Sequence, residues 1–485
     1  SVTTQGDLVA VGYDALGDNT TGTNNTAVGH EAGKLITTGG DNTAVGSIAL
    51  DANTTGASNN AFARDALGKN TTGGHNCAFG QSTLSNNTTA NYNSAFGNAA
   101  LLANTTGAEN TAFGYNALND NTTANYNTAI GAYSLDANTT GANGVAVGRS
   151  ALGVNTTGDS NTAIGTFALD ANTTASSNTA VGYNSLGANT TASQNTAVGY
   201  NSLSANTTGA DNTAVGMDCM RLNTTGRQNV AVGQNTLEAN TTADDNTAIG
   251  YEALKANTTG TWNVAVGMSA LVLNTTGQMN VAGGAYAMNS TTTGDENVAF
   301  GHSALGGNTT GDQNVAIGKS ALGANTTANH NTAIGHEALD VCTTGDNNTC
   351  IGRDCFGSLT TGRKNTALGT GGEGVTTGEN NSFIGYNSGS AASPSGNITT
   401  QSNAVVLGDN NVTALYCADT SISSSDSRDK TDVTNFTHGL SWIKQLNPIT
   451  YRWDKRSWYD NITPDGSKKR NKKHIGFLAQ DVLAV

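Results

Sequence analysis

A single glycine recurs with a 17-residue period over most of this chain. It ends phrases such as Asn-Thr-Ala-Val-Gly, and it falls at Gly12, Gly29, Gly46 and onward to Gly369. This interval gives 22 copies, in which Ala63 is the single non-glycine. Self-similarity at such a period indicates a stack of repeated units that bury their apolar surface against one another. We number the repeat from 1 to 17, with this glycine at position 5.

Two apolar positions in each copy predict the core. Position 4 is Val, Ile, Phe or Leu in every copy except at Gly283, and position 9 is Leu in 17 copies. Position 3 is Ala in 21 of the 22 copies, the exception being Cys350. Because side chains alternate along a strand, positions 3 and 5 face away from position 4. We expect positions 4 and 9 to form two buried ladders, and positions 3 and 5 to meet a second layer of protein. Ala63 indicates that space, more than positive φ, restricts position 5.

Polar residues recur just as regularly. Positions 13 and 14 are Thr-Thr in 21 copies, position 12 is Asn in 17 of those, and position 1 is Asn in 20 of 22. Identical polar side chains in successive units predict hydrogen-bonded ladders along the stacking axis. Positions 6, 7, 10, 16 and 17 vary and carry most of the charges, so they form the solvated face.

The composition supports an all-β fold. The chain has 61 Gly and only 3 Pro in 485 residues, with 12% charged residues, which is poor material for helices. Pro is absent before Pro394, as expected where nearly every backbone N–H serves a ladder. Seventeen residues suit one turn of a β-roll with two short strands and two bends. We therefore predict an all-β shaft, a β-roll or β-solenoid, over residues 1–386.

Charge and cysteine usage exclude several other classes. Residues 1–425 carry 11 basic and 29 acidic residues, whereas residues 426–485 carry 11 basic and 7 acidic. An acidic shaft argues against nucleic acid as a partner, and no apolar run is long enough for membrane insertion. The cysteines and histidines show no metal-binding spacing, so we expect no metal and no cofactor. A Cys350–Cys355 disulfide is neither indicated nor excluded.

Several copies resemble a known repeat. They read Asn-Val-Ala-Val-Gly at 229–233 and 263–267, and Asn-Val-Ala-Ile-Gly at 314–318. These phrases resemble the head repeat of YadA-like trimeric adhesins, which implies a trimeric parallel β-roll. The full 17-residue phrase is also similar to repeats in phage tail-fibre proteins. The resemblance covers residues 8–410.

The C-terminal part of the chain is different. Residues 387–424 read as an irregular insertion and a last shaft coil. Residues 425–430, Ser-Asp-Ser-Arg-Asp-Lys, resemble the S-D-x-R-x-K signature of the S74 peptidase family of intramolecular chaperones in phage fibres. Later phrases match that family in order, ending in Ile-Gly-Phe-Leu-Ala-Gln-Asp-Val at 475–482. We expect residues 425–485 to be the N-terminal part of a small α+β chaperone domain.

The S74 resemblance implies self-cleavage between Ser425 and Asp426. Ser425 would be the nucleophile, Lys430 the general base, and Arg428 a further residue of the motif. This chemistry is reasonable, because a serine hydroxyl needs an adjacent base and a lysine serves once its pKa is lowered. We expect no turnover enzyme, and at most a single-turnover Ser/Lys endopeptidase that cuts its own chain.

These observations predict the shaft of a phage tail fibre in the virion. It would be a homotrimer that contacts a host-cell receptor, either a glycan or a surface protein, and other tail proteins. A bacterial cell-surface trimeric adhesin is the alternative. An ice-binding solenoid, suggested by the Thr-Thr rows, is a weaker one, because that function requires no chaperone. Glycan cleavage is disfavoured, since no distinctive pair of carboxylates stands out.

Overall fold

The computed structural model describes residues 6–414, 448–452, 467 and 471–476. The chain divides into two units, Ser1–Thr413 and Ala414–Val485. The described residues form short strands and turns and contain no helix. The first unit is a parallel β-solenoid, which confirms the predicted fold class. We call one turn of this solenoid a rung.

Each rung contributes one three-residue strand at positions 2 to 4. Each strand pairs in parallel and in register with the strand of the next rung, so position 3 always lies beside position 3. At about 4.8 Å per rung, the 24-stranded sheet is about 110 Å long. The strands, β1 to β24, are Val9–Val11, Thr26–Val28, Thr43–Val45, Asn60–Phe62, Cys77–Phe79, Ser94–Phe96, Thr111–Phe113, Thr128–Ile130, Val145–Val147, Thr162–Ile164, Thr179–Val181, Thr196–Val198, Thr213–Val215, Val230–Val232, Thr247–Ile249, Val264–Val266, Val281–Gly283, Val298–Phe300, Val315–Ile317, Thr332–Ile334, Thr349–Ile351, Thr366–Leu368, Ser382–Ile384 and Val405–Leu407.

The return segment of each rung is not the second strand that we predicted. In a typical rung, positions 7, 9 and 17 have positive φ, as at Asn184 (53°), Leu186 (52°) and Gln194 (63°). Alternating left-handed residues prevent an extended conformation. The backbone still bonds from rung to rung, since the N–H of Leu186 donates to the carbonyl of Ser202 at 3.0 Å. The return is therefore a hydrogen-bonded run of turns.

Positions 3 and 9 fill the interior of the solenoid. Ala180 and Leu186, which represent these positions in one rung, are both fully buried. Position 4 lies on the outside of the sheet, and Ile164 is 41% exposed. The prediction for position 9 is thus confirmed. The prediction that position 4 forms a buried ladder is wrong, as is the prediction that position 3 meets a second layer. The leucine already fills a narrow rung, which leaves space opposite it only for a methyl group.

Position 5 is restricted by backbone conformation as well as by space. Gly199 has φ of 139°, and Ala63, which replaces the glycine, has φ of 110°. A β-carbon on Gly199 would also collide with the carbonyl oxygen of Gly216 in the next rung. Ala63 therefore does not show that space matters more than positive φ, because it adopts a conformation that favours glycine, and both restrictions apply at this position.

The predicted polar ladders are present inside the solenoid. At position 12, Nδ2 of Asn70 donates to Oδ1 of Asn53 at 2.8 Å and to the carbonyl of Gly73 at 2.9 Å. At position 1, the backbone N–H of Asn59 donates to Oδ1 of Asn42 at 3.0 Å. Both positions are buried, so each amide needs these partners. At position 13, threonine hydroxyls donate to the threonine carbonyls of the next rung.

The position 12 ladder is interrupted at Thr291. This residue is fully buried, and it has a single hydroxyl where most other rungs have the longer Asn amide. Oδ1 of Asn274 and Oγ1 of Thr291 are accordingly both left without a hydrogen-bond partner. The ladder resumes at Asn308 and stops at Asn325, whose Oδ1 is again unpaired because Cys342 follows. These two interruptions therefore each leave the side-chain carbonyl oxygen of the preceding rung without a partner.

Replacing Thr291 by Asn should restore the ladder. The new amide would donate to Oδ1 of Asn274, and its oxygen would accept from Nδ2 of Asn308. We expect the rung to open less readily by about 1–3 kcal/mol, measured by amide hydrogen exchange, because two orphaned groups are removed. Cys342→Asn is the matched control. It would pair Asn325 but leave its own oxygen facing Leu359, so we expect almost no gain; equal gains would contradict this account.

The regular period ends near the C-terminal end of the shaft. The rung that contains β22 is shorter than the others, since Nδ2 of Asn381 donates to Oδ1 of Asn365 across a separation of 16 residues. The next interval is 23 residues long, as the bond from Asn380 to Asn403 shows, and the extra residues form turns within 387–402. In the second unit, β25 (Ile449–Tyr451) and β26 (His474–Gly476) pair antiparallel. The rest of the predicted α+β domain lies outside the described residues.

Candidate assembly surface

The outward positions 2 and 4 of β1 to β24 form one continuous face, which we call the outer sheet face. Position 2 is most often Thr or Val, and position 4 is nearly always a large apolar residue. The face projects outward because position 3 turns in toward the buried leucines. Repetition of the same phrase therefore produces an apolar strip as long as the sheet.

The large side chains of this face are exposed or partly exposed along its whole length. Exposure is 56% at Val11, 57% at Phe113, 43% at Val266 and 40% at Leu368. Soluble monomers rarely leave a contiguous apolar patch of more than a few hundred Å² uncovered. A strip of this size therefore points to contact with another protein surface.

Neighbouring rungs also order the side chains of the outer sheet face. The rings of Phe62 and Phe79 stack with centroids 4.3 Å apart, and those of Phe79 and Phe96 stack at 4.9 Å. At Gly283, the one missing apolar residue among the regular copies, a β-carbon would contact the ring of Phe300 from the next rung. The ring covers the gap, so the face continues without a break there.

The outer sheet face carries no formal charge, although the chain has a net charge of −14. Charged residues lie elsewhere on the rungs, where some form ion pairs, such as Arg221 with Glu238 at 2.7 Å and Lys255 with Glu252 at 2.7 Å. The Glu252 carboxylate raises the pKa of Lys255, and the lysine in turn lowers the pKa of Glu252. Charge is thus confined to other faces of the solenoid.

One side-chain group among the described residues has ligand atoms close enough for a metal ion. His336, Glu337 and Asp354 place one such atom each within 4.8 Å of one another. His336 is exposed and the two carboxylates are partly exposed, and Asp354 accepts a hydrogen bond from Nε of Arg353 at 2.9 Å. Since acidic clusters of this kind are common on surfaces, we assign no metal to it. No helix among the described residues is long and apolar enough to cross a membrane.

The residues predicted for self-cleavage lie outside the described residues. These are Ser425, Asp426, Arg428 and Lys430, so their assigned roles stay predictions. The outer sheet face, in contrast, was missed as a surface by the sequence reasoning. Position 4 is apolar in nearly every copy, but this residue was predicted to lie inside the solenoid.

Comparison with known proteins gives one match. The family model of Peptidase_S74, described as chaperone of endosialidase, matches residues 425–485. No match was found among curated proteins or among solved structures. The family model begins at the serine of the Ser-Asp-Ser-Arg-Asp-Lys phrase, in agreement with the resemblance. Residues 425–485 are therefore a Peptidase_S74, chaperone-of-endosialidase, domain that follows a β-solenoid of 17-residue repeats.

Proposed function

We propose that this chain is the shaft of a homotrimeric phage tail fibre that attaches the virion to a host-cell surface. Three copies associate through the outer sheet face, and the S74 domain assists their assembly and then cleaves itself off. The β-solenoid and the S74 domain both fit a fibrous protein of this kind. Attachment to a host receptor, a glycan or a surface protein, rests on the resemblance of the repeats to those of fibres and adhesins.

The observation that carries the proposal is the outer sheet face. It is about 110 Å long and about 10 Å wide, or about 1,100 Å² for each chain. Stable protein interfaces bury about 800 Å² on each partner, so this strip is large enough for a permanent contact. Another copy fits it best, because only a partner with the same rung spacing can match side chains along its whole length.

The number of copies is supported by a separate argument. An apolar strip alone is compatible with two copies or with three. The repeats resemble those of trimeric fibres, and the S74 family acts on trimers, so three copies are the expected number. A dimer in solution would still be consistent with assembly through the outer sheet face, but it would contradict the proposed trimer.

Adding charge to the outer sheet face should separate the copies. We expect light scattering of the wild-type chain to give the mass of three chains. In the double variant Val198→Asp and Val215→Asp, carboxylates would face the partner copies without a counter-charge, and we expect mostly monomer at micromolar concentration.

The control adds the same charge to the same rungs elsewhere. Thr208→Asp and Thr225→Asp alter exposed threonines at position 14, and this double variant should still form trimers. Circular dichroism of both variants checks that the solenoid persists. A monomeric wild type, or equal loss of assembly in both double variants, would contradict the assignment of this face.

A further inference from the structure

Two cysteines of one rung face each other across the interior. Cys350 occupies position 3 of β21 and Cys355 occupies position 8 of the same rung. The structure joins them in a disulfide with Cα atoms 6.0 Å apart, and neither residue is exposed. Among the regular copies these positions hold mainly Ala, Ser or Thr. This rung has cysteine at both of them.

The other described cysteines have no such opposite partner. Cys219 also occupies position 8, but Ala214 stands at position 3 of its rung. Burial raises the pKa of Cys219 to about 12 and that of Cys342 to about 11, so their reactive thiolates are scarce. Cys219 serves instead as a small core residue whose thiol donates to the carbonyl of Ala231 at 3.3 Å. Among the described cysteines, only Cys350 and Cys355 lie close together in the same rung.

The rung of Cys350 and Cys355 lies where the regular core ends. Beyond Asn325, position 12 no longer carries an amide, since Cys342 and Leu359 follow, and of the two inner amide ladders only that of position 1 continues. Phe356, next to Cys355, packs edge-on against Phe383 with ring centroids 5.7 Å apart. Phe383 lies shortly before the turns of residues 387–402. A covalent bond in this rung therefore supports the core that holds those turns.

We propose that Cys350 and Cys355 form a redox-sensitive cross-link that holds the C-terminal rungs closed. In its formation both Sγ–H bonds break and one Sγ–Sγ bond forms. Two electrons and two protons pass to a low-molecular-weight disulfide such as oxidised glutathione, which leaves as two thiols. Because both sulfurs are buried, the exchange takes place while this rung is open, either during folding or during local unfolding. A reducing compartment keeps the rung unlinked, and an oxidising one links it.

The first test is chemical. The full chain is purified in the presence of oxidised glutathione, unfolded without reductant and treated with iodoacetamide. We expect a linked peptide that contains Cys350 and Cys355, lighter by two hydrogen atoms, while Cys219 and Cys342 are alkylated. Alkylation of both Cys350 and Cys355 in the unreduced chain would overturn the proposal.

The second test is functional and uses limited proteolysis of residues 387–402. Reduction with tris(2-carboxyethyl)phosphine should speed cleavage there by about tenfold. The double variant Cys350→Ala and Cys355→Ala should be cleaved at the faster rate with or without reductant. Its alanines are standard at both positions, so the rung should still fold. Cys219→Ala is the control and should respond to reductant as the wild type does. An equal response of wild type and double variant would also overturn the proposal.

Discussion

Leu186→Asp should open the shaft locally at the rung that contains β11. The leucine side chain is fully buried at position 9, so the variant places a carboxylate in the apolar interior without a partner. The backbone slightly favours the change, because Leu186 has φ of 52° and aspartate tolerates the left-handed region better than leucine. That benefit is about 1 kcal/mol, whereas the lost packing and the unpaired charge cost about 3–5 kcal/mol. The cost prevails.

The effect of Leu186→Asp should stay near its own rung, because each rung of a solenoid contacts only its neighbours. Hydrogen exchange and limited proteolysis should therefore report faster opening there and unchanged protection in distant rungs. Asn184→Asp is the matched variant at position 7 of the same rung. The Nδ2 of Asn184 donates to Oδ1 of Asn201 at 3.1 Å on a partly exposed surface. Its loss should change stability by about 0.5 kcal/mol or less. Equal protease sensitivity of the two variants would contradict the position assignment.

Much of the shaft could be predicted from the sequence because the repeat is strict. The constant spacing indicated a stack of identical units, and Asn at positions 1 and 12 identified the internal amide ladders. These inferences needed no knowledge of which way a side chain points. Identical residues at a fixed period come into register whatever the shape of the rung.

The orientation of the strand could not be predicted in the same way. Alternation along a three-residue strand shows that Ala and Val face opposite sides. It does not show which of the two sides is buried. Size suggested the larger residue inside. The interior of the rung is narrow, however, and Leu186 occupies it, so only Ala180 fits opposite. The left-handed conformation of the leucines was equally hidden, because leucine rarely adopts it.

The disulfide shows a third limit of sequence reasoning. Cys350 and Cys355 are close in the chain, and such a separation alone does not indicate a bond. Positions 3 and 8 face each other only because a strand and its return enclose the core. The juxtaposition therefore depends on the folded rung, and every regular rung repeats it, mostly with smaller residues.

Self-cleavage of the S74 domain is the prediction with an all-or-none outcome. It follows from the proposed function and from the family match at residues 425–485. We expect scission between Ser425 and Asp426. The Ser425 hydroxyl of one copy attacks the Ser425 carbonyl of a neighbouring copy, Lys430 accepts the hydroxyl proton and passes it to the leaving amine of Asp426, and water then hydrolyses the new ester. A lysine can act as this base only where burial or a neighbouring cation lowers its pKa.

The variants should separate the chemistry from the assembly. Ser425→Ala and Lys430→Ala should each abolish scission and leave an uncut trimer, as shown by mass spectrometry together with light scattering. Lys430→Arg is a sharper variant, because arginine keeps a long basic side chain but stays protonated near neutral pH and cannot act as a base, and it should also stay uncut. If cleavage requires the assembled trimer, the Val198→Asp and Val215→Asp chain should stay uncut as well, although its Ser425 and Lys430 are intact. Scission of Ser425→Ala, or a wild-type cut at another bond, would remove Ser425 from the role of nucleophile.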